Sequence, residues 1–286
     1  MASSSRGPSL RAQWLGKELR EAREGAKLTL KEAGAYLQRD QSTVSRFEAG
    51  VFPARMPDVL ALLDLYGIAD PERRAALLEL SRDAWQRGWW DSYTNHVDRG
   101  VLDFAFLESR ATEIKTFVPL VLFSLFQTRE YAEATIRAAD PTAGGEQVEH
   151  WLALRMARRD ALAERDAPLR LRMVVDEGCL RRVVGGVKIM RAQLAHLAEM
   201  AGESMIDIRV LPFSSGGHAS PEGQFSIVLM PEPYPDVACV DTRAGSLYVE
   251  DDAAERYTLA FDRLTKDALG LRRSVEFIRA VAEELG

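Results

Sequence analysis

The stretch that decides the reading of this chain is Leu28–Gly50, LTLKEAGAYLQRDQSTVSRFEAG. Thr29 followed three residues later by Glu32 is a capping box: the hydroxyl accepts from the amide at 32 and the carboxylate reaches back. Leu30, Ala33, Gly34 and Leu37 then fall on one face at helical spacing. Gln38-Arg39 interrupt the pattern. Asp40 is a good N-cap, and the spacing predicts a second helix behind it with Val44 and Phe47 inward and Gly50 as its breaker. Two short helices joined by a tight turn, with a small residue at their crossing, make a helix-turn-helix.

The outward face of the second helix carries Gln41, Ser42, Thr43, Ser45 and Arg46. Gln pairs bidentately with adenine, Arg with guanine, and hydroxyls suit bases or phosphates. All five lie in the first two turns, the part of this motif that enters the major groove. Lys27, Lys31, Arg39 and Arg55 stand where phosphates would pass. Helices are also predicted over Trp14–Ala26, with Leu15, Leu19 and Ala22 inward, and over Asp58–Tyr66, with Val59, Leu62, Leu63 and Tyr66 inward. On LREAREGAKLTLKEAGAYL, STVSRFEAG and LALLDLYGI, residues 14–68 resemble the Cro and lambda-repressor-like (XRE-type) DNA-binding domain. Gln38-Arg39 stand where that family usually has Gly-Val or similar. The resemblance implies an all-α head that binds double-stranded DNA, usually as a homodimer on a two-fold-related site.

With 286 residues the chain has room for two domains. It is 47% hydrophobic and 28% charged, which is ordinary globular material. Its net charge of −6 is uneven: residues 1–66 carry +2 and the remainder −8. A net of +2 attracts phosphates only weakly, so specific contacts must carry more of the affinity. The two cysteines, Cys179 and Cys239, are far apart and form no CxxC, which argues against a disulfide framework or a zinc site. The first seven residues are polar with no apolar core behind them, and no apolar run approaches the length of a membrane span, so a cytoplasmic location without membrane contact is expected.

The predicted organisation is a disordered tail over 1–12, the helix-turn-helix domain over 13–69, a connector helix over 70–90 opened by Asp70-Pro71, and one α+β domain over 91–286. In the last, period-two alternation predicts strands at 112–118, 169–173, 206–211, 225–230, 237–241 and 247–250, a mostly antiparallel sheet covered by helices. The apolar run 120–126 is expected to be buried throughout. LESRATEIKTFVP, LFQTREYA, VVDEGCLRRVVGG with MRAQLAHL, IRVLPFSSGGHASPEGQFSIV and LYVEDDAAERYTLAFDRLTKDAL are together similar to the C-terminal domain of a bacterial, mainly actinobacterial, regulator family described as antitoxin-like, WhiJ-type XRE regulators. That resemblance implies DNA binding near the protein's own locus and, often, a small partner protein encoded nearby.

Chemistry is otherwise sparse. The loop Phe213–Gly223 sets Gly216 and Gly217 beside His218, a pattern that can present amides to an anion, but it lacks the lysine and helix start of a phosphate loop. Ser214, Ser215 and Ser220 near His218 lack a nucleophile elbow. Glu177 and Arg172 are the charged residues that could join Gly216, Gly217 and His218 in holding a ligand. No catalytic, metal or cofactor site is expected. The sequence thus points to a sequence-specific DNA-binding transcriptional regulator whose C-terminal domain senses a small-molecule effector or binds a partner protein. The alternative is an antitoxin-like interaction protein that neutralises a small partner and autoregulates its locus.

Overall fold

The computed structural model describes residues 7–94, 96–165 and 167–286. They divide into two compact units, one of residues up to 94 with Val101–Asp103, the other of residues 96–100 with those from Phe104 to Gly286.

Among the described residues the first unit holds five α-helices: α1 (Leu10–Gly25), α2 (Leu30–Tyr36), α3 (Gln41–Glu48), α4 (Met56–Leu65) and α5 (Pro71–Trp85). The capping box opens α2, the Thr29 amide donating to Glu32 at 2.8 Å and the Glu32 amide to the Thr29 hydroxyl at 3.2 Å. Asp40 occupies the N-cap of α3, but its side chain makes no capping bond. Each of α1 to α4 ends on a left-handed residue: Lys27, Gln38, Gly50 and Gly67, with φ of 58°, 54°, 65° and 71°. After each, an amide reaches back five residues, Leu28 to Arg23, Arg39 to Gly34, Val51 to Arg46 and Ile68 to Leu63, which is the Schellman ending. Gly16 and Gly34 allow backbones to touch. A Cβ on Gly16 would lie 2.6 Å from the carbonyl oxygens of Phe47 and Glu48, and one on Gly34 would lie 2.9 Å from that of Arg39. Leu15, Leu19, Val44, Phe47, Val59, Leu62 and Leu63 fill the core.

Two boundaries differ from those expected. Of the expected tail, residues 1–6 lie outside the described residues, and α1 already begins at Leu10 because the Ser9 hydroxyl caps it, accepting from the Ala12 amide. The expected connector helix stops at Trp85, where Gln86 turns to extended backbone, and it packs on α1 and α4 through Leu77 and Leu80. The Ser81 hydroxyl donates to the Ala54 carbonyl and the Arg11 guanidinium to the Asp83 carbonyl. This helix therefore completes the first unit instead of leading away from it.

The second unit is built on six strands: β1 (Glu113–Val118), β2 (Arg170–Asp176), β3 (Ile206–Leu211), β4 (Phe225–Leu229), β5 (Val237–Thr242) and β6 (Gly245–Val249). Their order is β3-β2-β1-β4-β5-β6. The sheet is mixed: β1 pairs with β2 and β2 with β3 in parallel, and the other three pairings are antiparallel. Parallel neighbours need crossovers. Here α7 (Arg129–Ala139) and α8 (Gly145–Ala163) lead from β1 to β2, and α9 (Glu177–Arg181) and α10 (Val187–Met200) from β2 to β3. α6 (Arg99–Arg110) precedes β1, and α11 (Asp251–Asp267) and α12 (Leu271–Glu284) close the chain. Phe117, Val174, Leu211, Phe225, Ile227 and Ala238 face α11, meeting Ala254, Phe261 and Leu264. Alternation puts Ile114, Val118, Met173, Val175, Ile208 and Val210 on the other face, all buried. Within 120–126, Leu122, Phe123, Leu125 and Phe126 are buried but Leu120 is 59% exposed. The run is not a strand; it bends past Pro119 into a short 3-10 turn at Ser124–Phe126, which cannot turn every side chain inward.

A buried ion pair ties α8 to α6. Arg158 donates to Glu108 through Nε at 2.7 Å and Nη2 at 2.6 Å. Burial opposes the charge on Arg158, but the Glu108 carboxylate outweighs it and holds the guanidinium above its ordinary value.

Glu108→Gln is expected to destabilise the chain by about 3–5 kcal/mol in urea unfolding because it strands a buried guanidinium, while the double variant Glu108→Leu/Arg158→Met recovers most of that loss. Gly16→Ala should cost about 1–3 kcal/mol by driving α1 off the end of α3. Gln38→Gly should raise the unfolding midpoint, adding about 0.5–1 kcal/mol by relieving the left-handed backbone.

Candidate functional site

α3 is short, and its orientation is set from behind. Val44 and Phe47 are buried, and Glu48 at its end accepts a two-pronged bond from Arg23 of α1, Nε to Oε1 at 2.6 Å and Nη2 to Oε2 at 2.9 Å. The Arg23 side chain is 10% exposed and that of Glu48 7%. Arg23 also donates to the Leu28 carbonyl at 2.8 Å. Hydrogen bonding to Glu48 holds the Arg23 guanidinium above its ordinary value. Burial, and the nearby Glu48 charge, push the Tyr66 phenol up, so that residue stays neutral beside the pair. Sequence reading passed over Arg23 and Glu48. They stand 25 residues apart and nothing local links them.

With its inner side fixed, α3 presents Gln41, Ser42, Ser45 and Arg46 to solvent and Thr43 half-buried. The guanidinium of Arg46 lies 5.4 Å over the ring of Phe52, which itself meets Phe47 edge-on at 5.2 Å. Arg46 therefore rests on an aromatic shelf, a cation–π arrangement that narrows its rotamers. Lys27, Lys31, Arg39 and Arg55 are all exposed. Lys27 sits on the left-handed turn after α1. Arg39 is engaged, donating to both oxygens of Asp58 at 3.0 and 3.2 Å. Arg55 stacks 5.0 Å over Trp85, whose indole N–H donates to the Ala54 carbonyl, so the segment after α3 is pinned to α5. The structure thus gathers the five outward residues on one helix face with Arg46 pre-positioned, and it leaves Arg39 shared with a carboxylate.

In the second unit, Glu177 anchors the start of the glycine-containing loop: its Oε2 accepts from the Phe213 amide at 2.8 Å and its Oε1 from Arg181 at 2.6 Å. Gly216, with φ of 72°, and Gly217 are exposed with open space around them. His218 packs edge-on to Phe117 at 5.2 Å, and its Nδ1 accepts from the Ser220 amide at 3.2 Å. The hydroxyls nearby are spent on backbone: Ser215 donates to the Asp267 carbonyl and Ser220 to that of Gly223. Arg172 faces Glu113 and Asp207, each at 3.7 Å, and lies 5.4 Å over the Phe261 ring. Both thiols are buried, and burial pushes them up, Cys179 to about 12. Neither is a thiolate at neutral pH. Among the described residues no group of three or more His, Cys, Asp or Glu could hold a metal ion, and no helix is long and apolar enough to cross a membrane. The far half of the loop, Ala219 to Gln224, borders a cavity of about 400 Å³ under α11 that sequence reading did not foresee.

Comparison with known proteins agrees with this two-part architecture. Residues 14–87 match a helix-turn-helix domain, a span that takes in α5. Residues 101–280 match a domain of unknown function, DUF5753. No curated protein and no solved structure matches the chain. The second match covers well over half of the residues, and the chain belongs to the DUF5753 family, its domain standing behind an N-terminal helix-turn-helix.

Proposed function

We propose that the chain is a sequence-specific DNA-binding transcriptional regulator, acting in the cytoplasm as a homodimer on a two-fold-related site. The observation that carries this reading is the two-sided character of α3: Val44 and Phe47 are buried, and Gln41, Ser42, Ser45 and Arg46 form a continuous exposed polar face with Arg46 held over Phe52. Gln41, Ser42, Thr43 and Ser45 read base edges, and Arg46 contacts a base or phosphate. Lys27, Lys31 and Arg55 contact phosphates, and Arg39 does so only when Asp58 releases it. The second unit is the regulatory part, where a small ligand or a partner protein encoded nearby shifts the DNA-competent population. The reading assigns no catalytic role to His218 or to the serines around it.

In a mobility-shift titration on the DNA upstream of its own gene, the Gln41→Ala/Arg46→Ala variant should lose about 2 kcal/mol or more of binding relative to the natural chain. Equal binding by the two proteins removes α3 as the reader. Asp58→Asn, which frees Arg39 at the cost of an exposed ion pair, should tighten binding and steepen the log–log salt dependence by about one unit. An unchanged slope takes Arg39 out of the phosphate contacts.

A further inference from the structure

The cavity under α11 has a structural cause. Towards its C-terminal end, α11 fills the space above the sheet with Phe261 and Leu264. Nearer its start, the same face presents Ala253, Arg256, Tyr257 and Ala260, at spacings of three and four residues. Ala253 and Ala260 carry only a methyl group each, and Ala219 and Gly223 across the gap are equally small. What remains is the space of about 400 Å³, floored by Phe225, Val240 and Val249. Apolar pockets with a few convergent polar groups are the usual form of small-molecule sites, and this one falls at the small end of their size range.

Its charged groups are of opposite sign and unspent. Glu222 and Arg256 both border the cavity, and neither makes an ion pair or hydrogen bond with any other described residue. The Tyr257 hydroxyl and the Gln224 side-chain amide, also on the wall, likewise have no hydrogen-bond partner among the described residues, and the Tyr257 ring lies 5.2 Å from that of Phe225. An apolar floor lined by aromatic rings, with one cation and one carboxylate at the rim, is complementary to a molecule that has an apolar body and carries both charges itself. We propose that this cavity binds a small zwitterion with an apolar side chain, the chemistry of a hydrophobic amino acid. Arg256 takes the carboxylate, Glu222 the ammonium group, and the side chain rests on Phe225, Val240 and Val249. This deepens the ligand-sensing half of the function proposed above and depends on it only for the link to DNA.

The test is calorimetric titration of the full chain with L-phenylalanine, alongside 3-phenylpropanoate, which lacks the ammonium group, and 2-phenylethylamine, which lacks the carboxylate. Phenylalanine is expected to bind, each analogue at least about tenfold more weakly, which is the loss of one charge-assisted hydrogen bond. Arg256→Ala, an exposed residue whose loss should leave the unfolding midpoint unchanged, is expected to weaken phenylalanine by a similar factor. Ala260→Leu should abolish binding by filling the space. Absence of binding by all three probes up to about 10 mM, equal binding of 3-phenylpropanoate and phenylalanine, or unchanged binding in Arg256→Ala each overturns the proposal. Mobility shifts with and without phenylalanine separate the two readings. Binding with no change in DNA affinity upholds the site and removes its regulatory link, while loss of DNA binding in the Gln41/Arg46 variant bears on α3 alone.

Discussion

The bond between Arg23 and Glu48 sets the geometry on which the first unit depends. An eight-residue helix such as α3 has no stability of its own, because so few turns cannot repay the cost of nucleation. It exists because Val44 and Phe47 are buried beneath it, and it points one way because Glu48 is held by both prongs of a guanidinium on α1. A buried pair of this kind adds little net stability, since desolvation consumes most of the attraction, but leaving one member alone is expensive. Its effect is on register: α3 cannot rotate or slide on α1 without stranding a charge. The approach of Gly16 to the last carbonyls of α3 brings the helices close enough for that bond.

The second unit solves a different problem. Half of its sheet is parallel, which requires helical crossovers on the chain between β1 and β3, and half is an antiparallel run that needs only short connections. One helix, α11, must cover the face where the two halves meet. Its large residues serve the parallel side, where Phe261 lies close to Arg172 and the β1–β2 region, and its small residues leave the antiparallel side thinly covered. The cavity is the direct result of that change in side-chain size along one helix.

Much of this was legible in the sequence. The Thr29–Glu32 capping box, the inward Val44 and Phe47, the small Gly34 at the crossing and all six strands follow local rules of spacing, and local rules survive folding when the pattern is strong. What stayed hidden was non-local. Arg23 with Glu48, Arg39 with Asp58, Arg158 with Glu108 and Arg46 over Phe52 are side-chain pairings made by the fold, and no period in the chain announces them. The α5 helix misled for the same reason: its Pro71 start was readable, but that Leu77 and Leu80 bury against α1 and α4 depends on where those helices go. The cavity was least legible of all, being defined by what small residues on three separate segments fail to fill.

The four successive Schellman endings have a consequence for how the first unit comes apart. Each locks the end of one helix to the entry of the next connection, so the junctions are as ordered as the helices. With helices of seven, eight and ten residues, none has the length to persist once its neighbours leave. These three helices therefore stand only while the longer α1 and α5, of 16 and 15 residues, pack behind them. The surface that α3 displays is present whole or absent whole, and its sharpness as a reading head is a property of the cooperativity of the unit rather than of the helix that carries it.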